Sequence, residues 1–342
     1  MKYIGKAPFR IGLAGGGTDV SPYSEMHGGN VLNSTIDLYA TAILIPRNDG
    51  RIVINARNAG IRVEFDATTE LEIHPELGLQ IGVYNHVVKN FSKRPLSFEL
   101  ITTIDVPTGS GLGTSSTLLV AVLGAFMEWL KIPLGEYEIA QLALTIERKE
   151  LKMAGGKQDQ YAATFGGFNF MEFYDSDRVI VNPLRIKSDI RRELNYHLLL
   201  FYTRTKRESA DIIEVQAENF RNAVPQVMEA SHQLKEQALK MKEALLYGKL
   251  DDIGLLLNMG WENKKHLAAG ISTSSIEDIY HTAIKAGATG GKISGAGGGG
   301  FMVFYCPGNS RFDVIDSLEA KGVSHQRYNF HGNGLETWTS QQ

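Results

Sequence analysis

Over the first hundred residues the apolar positions come in short runs rich in Ile and Val. "YATAILI" (39–45) and "RIVINARNAGIRVEF" (51–65), interrupted by "NDG" and "NAG", predict strands joined by tight turns. The opening "MKYIGKAPFR" predicts a first strand, and "LSFELITTI" (96–104) another, with a short helix at about 79–91 between them. Beyond residue 114 the spacing becomes helical, at about 115–130 and 136–152. "FGGFNFMEF" and "YHLLLFYT" return to strand character. From Glu208 to His266 the pattern is helical and charged, broken by Pro225 and "YGK". The last part alternates: a helix near 275–286, strands through "GGKISG" and "GFMVFYC", a helix near 310–321, and a strand near 323–330. There is no fixed-period repeat and no low-complexity linker. Strands and helices mixed in this order predict an α+β chain of two domains, 1–180 and 181–342.

Composition narrows the function classes. A formal net charge of −3 and the lack of any dense Lys/Arg run argue against nucleic acid. The longest apolar segment, Leu118 to Met127, is about half of what a membrane span needs. The N-terminus lacks the apolar core of a signal peptide. The single cysteine, Cys306, excludes an internal disulfide and a Cys-paired zinc site, and its setting in "FMVFYCPG" suits a small core residue. A cytoplasmic protein is expected. The unusual figure is 36 glycines, because they are clustered.

The first cluster is "PTGSGLGTSST" (107–117), ahead of an apolar helix. Glycines admit positive φ and close approach of a ligand to the backbone, and a helix N-terminus offers free N–H groups and a positive dipole end. Together they make an anion site, most often for phosphate. Gly109, Ser110, Gly111, Leu112, Gly113, Thr114, Ser115 and Ser116 are its candidate residues. Thr114, Ser115 or Ser116 could cap the helix. A Walker A loop would need Lys where Thr114 stands, and the Rossmann-like spacing at Gly295, Gly297 and Gly300 runs into a strand rather than a helix. Neither fingerprint applies.

The second cluster is "PFRIGLAGGGTD" (8–19). It is either a turn capped by Asp19 or a backbone held open beside a ligand, with Gly16, Gly17, Thr18 and Asp19 facing it. Arg10 lies within an apolar strand, where an unpaired charge is costly, so it needs an anionic partner; a phosphate would serve. The third cluster, "KISGAGGGGF" (292–301), holds more glycines than a turn requires, and Gly297 and Gly298 could floor a phosphate or sugar. Two acids lie at the buried stripe of "LALTIERKEL", Glu147 at its edge and Glu150 on it, and periodicity alone does not choose between them. Asp159 follows a glycine pair in "GGKQDQ".

These three clusters, in this order, resemble the motifs of the GHMP kinase superfamily, named for galacto-, homoserine, mevalonate and phosphomevalonate kinases. The resemblance spans Pro8 to about Phe301. It implies an N-terminal domain like ribosomal protein S5 domain 2, a ferredoxin-like C-terminal domain, and an active site between them that uses ATP and Mg²⁺. It also implies roles. Ser115 matches the second serine of the phosphate loop, often a magnesium ligand, with Thr114 replacing the first. Glu147, followed by Arg148, matches the family's Glu-Arg pair and becomes the second metal ligand. Asp159 matches the catalytic Asp, with Arg10 as the basic residue beside it. The adenine pocket has no clear signature.

"GLAGGGTDVSPY" resembles more narrowly the branch of heptose 7-phosphate kinases and L-fucokinases. It implies phosphorylation of an anomeric hydroxyl, in making nucleotide-activated heptose for surface polysaccharide. The alternatives are a free-sugar kinase such as an L-fucokinase, a non-catalytic sugar and ATP sensor, and the mevalonate diphosphate decarboxylase branch, which the Gly-Gly-Gly-Thr-Asp motif disfavours. Expected partners are ATP and a small sugar phosphate, without nucleic acid or membrane; a homodimer is compatible with the chain. A sugar that carries a phosphate needs cations on the acceptor side. Arg207 is the preferred choice among Lys6, Lys157, Arg204, Lys206 and Arg207, with Lys6 and Arg10 placed on one face of the first strand by alternation.

Overall fold

The computed structural model describes residues 1–205 and 209–341. Twelve strands can be named among them: β1 (Lys2–Ala14), β2 (Gly29–Pro46), β3 (Arg51–Ala56), β4 (Ile61–Asp66), β5 (Phe98–Ile104), β6 (Phe168–Phe173), β7 (Val179–Pro183), β8 (Leu198–Tyr202), β9 (Gly290–Ile293), β10 (Phe301–Tyr305), β11 (Ser324–Gln326) and β12 (Glu336–Ser340). The helices are α1 (Tyr23–His27), α2 (Gly78–Val87), α3 (Thr114–Leu130), α4 (Glu136–Leu144), α5 (Gln158–Phe165), α6 (Ser188–His197), α7 (Ser209–Arg221), α8 (Pro225–Tyr247), α9 (Asp251–Lys265), α10 (Ser274–Lys285) and α11 (Ser310–Glu319).

An eight-stranded sheet runs β12-β1-β2-β5-β3-β4, with β6 joined to β2 and β7 to β6. Its pairs are antiparallel except β3 with β5. A four-stranded antiparallel sheet runs β11-β8-β10-β9. The mixed α+β organisation matches the sequence expectation. Sheet membership does not follow one cut near residue 180: that position falls within β7, and β12 returns to the first sheet. Helix α3 lies across β1 and β2, and its buried side chains, from Leu119 to Phe126, fill the larger core. Helices α8 and α9 pack on each other; α8 covers β1 and β2 while α9 rests on β9, so the two sheets meet over the start of the chain. No helix among the described residues is long and apolar enough to cross a membrane.

The β1–β2 ladder shifts register twice, between Pro8 and Arg10 and between Gly12 and Ala14. A shift of this kind re-aims the side chains beyond it. Simple alternation therefore fails along β1. Lys6 sits over the ring of Tyr39, 3.6 Å from its centroid, while Arg10 turns into the interior with 4% exposure. The expected shared face of Lys6 and Arg10 does not form.

Candidate active site

The segment 107–117 is a glycine-shaped loop feeding α3. Gly109, Gly111 and Gly113 all have positive φ, 73°, 81° and 79°, which a side chain would oppose. Gly113 is the N-cap residue of α3, and no side chain caps the helix. This corrects the expected hydroxyl cap. Thr114 instead meets Ser110 Oγ at 3.1 Å, and Ser116 donates to Glu147 Oε2 at 2.7 Å. The first N–H groups of α3 thus keep their capacity for an anion. Ser115 is exposed at this end of the helix.

Asp159 stands against that loop. A Cβ placed on Gly113 would lie 3.0 Å from the Asp159 carboxyl carbon and 3.1 Å from Oδ2. Arg10 Nε donates to Asp159 Oδ1 at 2.7 Å, and Nη2 is 2.7 Å from the same oxygen. Nη1 donates to Gly111 O at 2.7 Å and to Ser294 Oγ at 3.3 Å. Among the described residues, the anionic partner of Arg10 is Asp159. One guanidinium therefore ties together the first strand, the loop, α5 and the segment after β9. The two-donor grip on Oδ1 fixes the carboxylate and leaves Oδ2 on the side of the loop.

Asp19 supports this arrangement from below. It is 2% exposed, and its carboxylate accepts from the backbone N–H groups of Gly17, Lys157 and Gln158 at 3.0–3.1 Å and from Gln158 Nε2 at 3.2 Å. It closes the N-terminus of α5, the helix that carries Asp159. Thr18 is fully buried: its hydroxyl donates to Gly15 O and Asn30 O and staples the glycine turn to β2. Gly16 and Gly17 do line the cleft beside Asp159, together with Gln158 and Ala296. Gln158 lines the cleft, and its buried Oε1 has no hydrogen-bond partner.

Behind the loop, Glu147 is 1% exposed. Its Oε2 accepts from Ser116 Oγ and from Gln160 Nε2, and its Oε1 is 3.3 Å from Arg148 Nη1. Glu150 points elsewhere, to His86 Nδ1 at 2.8 Å, and is partly exposed. Residues Thr145–Glu150 form a π-helical turn, and this widening changes the angular position of both acids. Beside Glu147, the buried Gln160 Oε1 lacks a partner. A carboxylate with neutral oxygens around it is the donor set that a hard divalent cation takes, with further ligands from phosphates and water. Ser116, not Ser115, is the hydroxyl that touches Glu147.

On the other side of the loop a cavity of about 260 Å³ opens between Asn58, Pro75, Leu79, Ile104, Leu118 and Met153, and reaches Gly109, Thr114 and Ser115. An apolar slot that continues into an anion loop suits a nucleoside with its phosphates. Its walls come from four separate segments, which is why no contiguous motif announced it.

The third glycine cluster packs against the loop rather than lying open. A Cβ at Gly295 would approach Gly111 O to 2.5 Å; one at Gly300 would strike Ser110 O, and one at Gly111 would strike Ser294 O. Phe301 N donates to Ser110 O at 2.9 Å. Gly297 and Gly298 are turned toward Ile271, the first within 2.8 Å of its Cα by a hypothetical Cβ, the second through a 2.8 Å bond to its carbonyl. They are not part of the cleft lining; Gly295 and Ala296 are.

Two lysines escaped the sequence reading. Lys264 and Lys292 line the cleft at 3% and 4% exposure. Both had a signal. Lys264 continues the buried α9 stripe of Ile253, Leu257 and Trp261, and Lys292 interrupts an apolar strand as Arg10 does. The expected acceptor-side cations are engaged elsewhere: Lys157 with Glu25 and Asp177, Arg204 with Ser324 Oγ, and Lys6 with Tyr39. Lys206 and Arg207 lie outside the described residues.

Residues 79–167 match the GHMP kinases N terminal domain and residues 241–324 the GHMP kinases C terminal domain. The chain is 46% identical to a D-glycero-alpha-D-manno-heptose 7-phosphate kinase of Campylobacter jejuni, over 97% of this chain and 98% of that protein. A crystal structure of a D-glycero-D-manno-heptose 1-phosphate kinase from Bacteroides thetaiotaomicron superposes with a TM-score of 0.85 at 41% identity, covering 99% of this chain and 100% of that one. An L-fucokinase/L-fucose-1-P guanylyltransferase of Bacteroides fragilis is 30% identical over 87% of this chain but only 34% of its own length. The chain is a member of the GHMP kinase family.

Proposed function

We propose that this kinase transfers the γ-phosphoryl group of ATP to the anomeric hydroxyl of D-glycero-D-manno-heptose 7-phosphate. The observation that carries the reading is the close approach of the Asp159 carboxyl to Gly113 of the phosphate loop, where a Cβ would lie 3.0 Å from the carboxyl carbon. It sets a carboxylate at the meeting point of a nucleotide loop and a second, polar cleft. In the transfer, the O1–Pγ bond forms as the bond from Pγ to the β,γ-bridging oxygen breaks, ADP leaves, and the O1 proton passes to Asp159. Phosphoryl transfer of this kind rests mainly on positioning and charge neutralisation, so the base contributes through orientation as well as proton transfer. Arg10 holds Asp159 in place, and Gln158 Oε1 offers an acceptor for a sugar hydroxyl. Mg²⁺ would be held by Glu147, with Ser115, Ser116 and Gln160 supplying neutral oxygens nearby. When bound, it neutralises charge on the β- and γ-phosphates. The substrates are charged metabolites of the cytoplasm, where we place the enzyme.

The C. jejuni relative supports heptose 7-phosphate over fucose as acceptor, since its match covers both chains almost fully. The test is ADP release from the wild-type enzyme with heptose 7-phosphate and with the same heptose lacking the phosphate. Recognition of a phosphate through charge-assisted bonds predicts a preference of roughly 10- to 100-fold in kcat/KM. Equal efficiency on the two sugars would instead favour a free-sugar kinase. No ADP release with any sugar would favour a sensor.

A further inference from the structure

Resting on the kinase reading above, we infer that Lys264 and Lys292 form the subsite for the phosphate already carried by the sugar acceptor. Both ammonium groups are buried in the cleft wall, yet among the described residues neither reaches a carboxylate at ion-pairing distance. Lys264 Nζ donates to Gly16 O at 3.4 Å and Lys292 Nζ to Gly12 O at 2.9 Å. One backbone carbonyl does not offset burial of a full charge, so each group is held for a counter-ion that arrives with a ligand.

The charge balance of the cleft points the same way. Its lining contains three cations, Arg10, Lys264 and Lys292, and two carboxylates, Asp19 and Asp159. Arg10 is paired with Asp159, and Asp19 is saturated by the donors at the start of α5. With both lysines protonated the cavity carries net positive charge, three cations against two carboxylates. A neutral sugar would leave it uncompensated, whereas a phosphate monoester would neutralise it. Burial lowers the pKa of Lys264 to about 8, with Asp19 and Asp159 opposing the shift and Arg10 adding to it; Lys292 is lowered well below the usual lysine value by burial and by the charges of Lys264 and Arg10. An arriving dianion would reverse these shifts.

Position distinguishes the acceptor's phosphate from the one being transferred. Neither lysine lines the nucleotide cavity. Their ammonium groups bond Gly12 and Gly16, along the end of β1 and its glycine turn, whereas the loop side of Asp159 faces Gly113. The subsite thus lies on the β1 and glycine-turn side of the cleft, apart from the nucleotide cavity, where the far end of a phosphorylated acceptor would be held.

The experiment compares the wild type with Lys264→Met and Lys292→Met, which keep the aliphatic stem and remove the charge. KM and kcat are measured for heptose 7-phosphate, for the unphosphorylated heptose and for ATP. Each variant is expected to raise KM for the phosphorylated sugar by about 10- to 100-fold, the loss of one charge-assisted contact, with the KM of the free heptose and of ATP within about threefold of wild type. The melting temperature at neutral pH is the second readout. Each variant should melt at least as high as wild type, because an unpaired buried charge has been removed. The inference is overturned if kcat falls while the KM of the phosphorylated sugar stays put, if both sugars suffer equally, or if the variants melt well below wild type. A wild type that prefers the 7-phosphate while both variants keep that preference overturns the lysine assignment and spares the proposed function. A wild type indifferent to the phosphate overturns both.

Discussion

Asp159→Asn will reduce turnover on the order of 10²-fold or more while ATP affinity changes little. Asparagine fills the same space and can still accept from Arg10 through its amide oxygen. It cannot take the proton of the acceptor hydroxyl, and it offers an N–H₂ group where the carboxylate presents Oδ2 to the loop. The cavity proposed for the nucleotide is not lined by Asp159, so nucleotide binding provides an internal control. The substitution also leaves the 4%-exposed Arg10 without an anion, so the melting temperature should fall. Calorimetry with ATP separates the two effects: normal ATP binding with collapsed turnover assigns the residue to chemistry. Near-normal turnover would reduce Asp159 to the counter-ion of Arg10.

Glu147→Gln should raise the Mg²⁺ concentration for half-maximal activity by roughly 10-fold or more, with a matching fall in turnover at fixed metal. The amide is nearly isosteric, so Ser116 and Gln160 retain a neighbour of the right shape. What disappears is the buried negative charge behind the loop. A magnesium titration of ADP release reads the change directly. An unaltered metal dependence would mean that Glu147 serves only to anchor Ser116 and Gln160. Glu150→Gln is the useful comparison, because that acid faces His86 and should leave the metal dependence as it is.

The parts of this site that were legible in the sequence are those with no adequate structural explanation as turns or caps. Three alternate glycines before an apolar helix announced the positive-φ loop at the start of α3, proposed to hold phosphate, and a charged residue in an apolar strand announced that Arg10 has a buried partner. The parts that were not legible depend on geometry that periodicity does not carry. The register shifts in β1 separated Lys6 from Arg10. The π-helical turn at 145–150 altered the facing of Glu147 and Glu150, and family resemblance rather than spacing chose between them. Helix α5 begins with the polar "QDQ", whose first residues are ordered by Asp19 from far along the chain. Strand β12, "ETWTS", has too few apolar residues to signal itself and is defined by its pairing with β1.

That pairing has a bearing on how the protein is made. Residues Lys2 to Lys6 lie opposite Ser340 to Glu336, and Leu335 fills the gap over Gly124 in α3, within 2.7 Å of where a Cβ would sit. Strand β1 therefore leaves the ribosome long before its outer neighbour β12 and receives it only after translation has reached residue 340. Until then its edge is open to pairing with another nascent chain. Lys2 and Lys6 stand on that edge, and charged side chains there discourage such pairing while the chain waits. Closure of this longest-range contact should be a late step of folding, and α3, the helix that follows the glycine loop, gains its last packing partner only then.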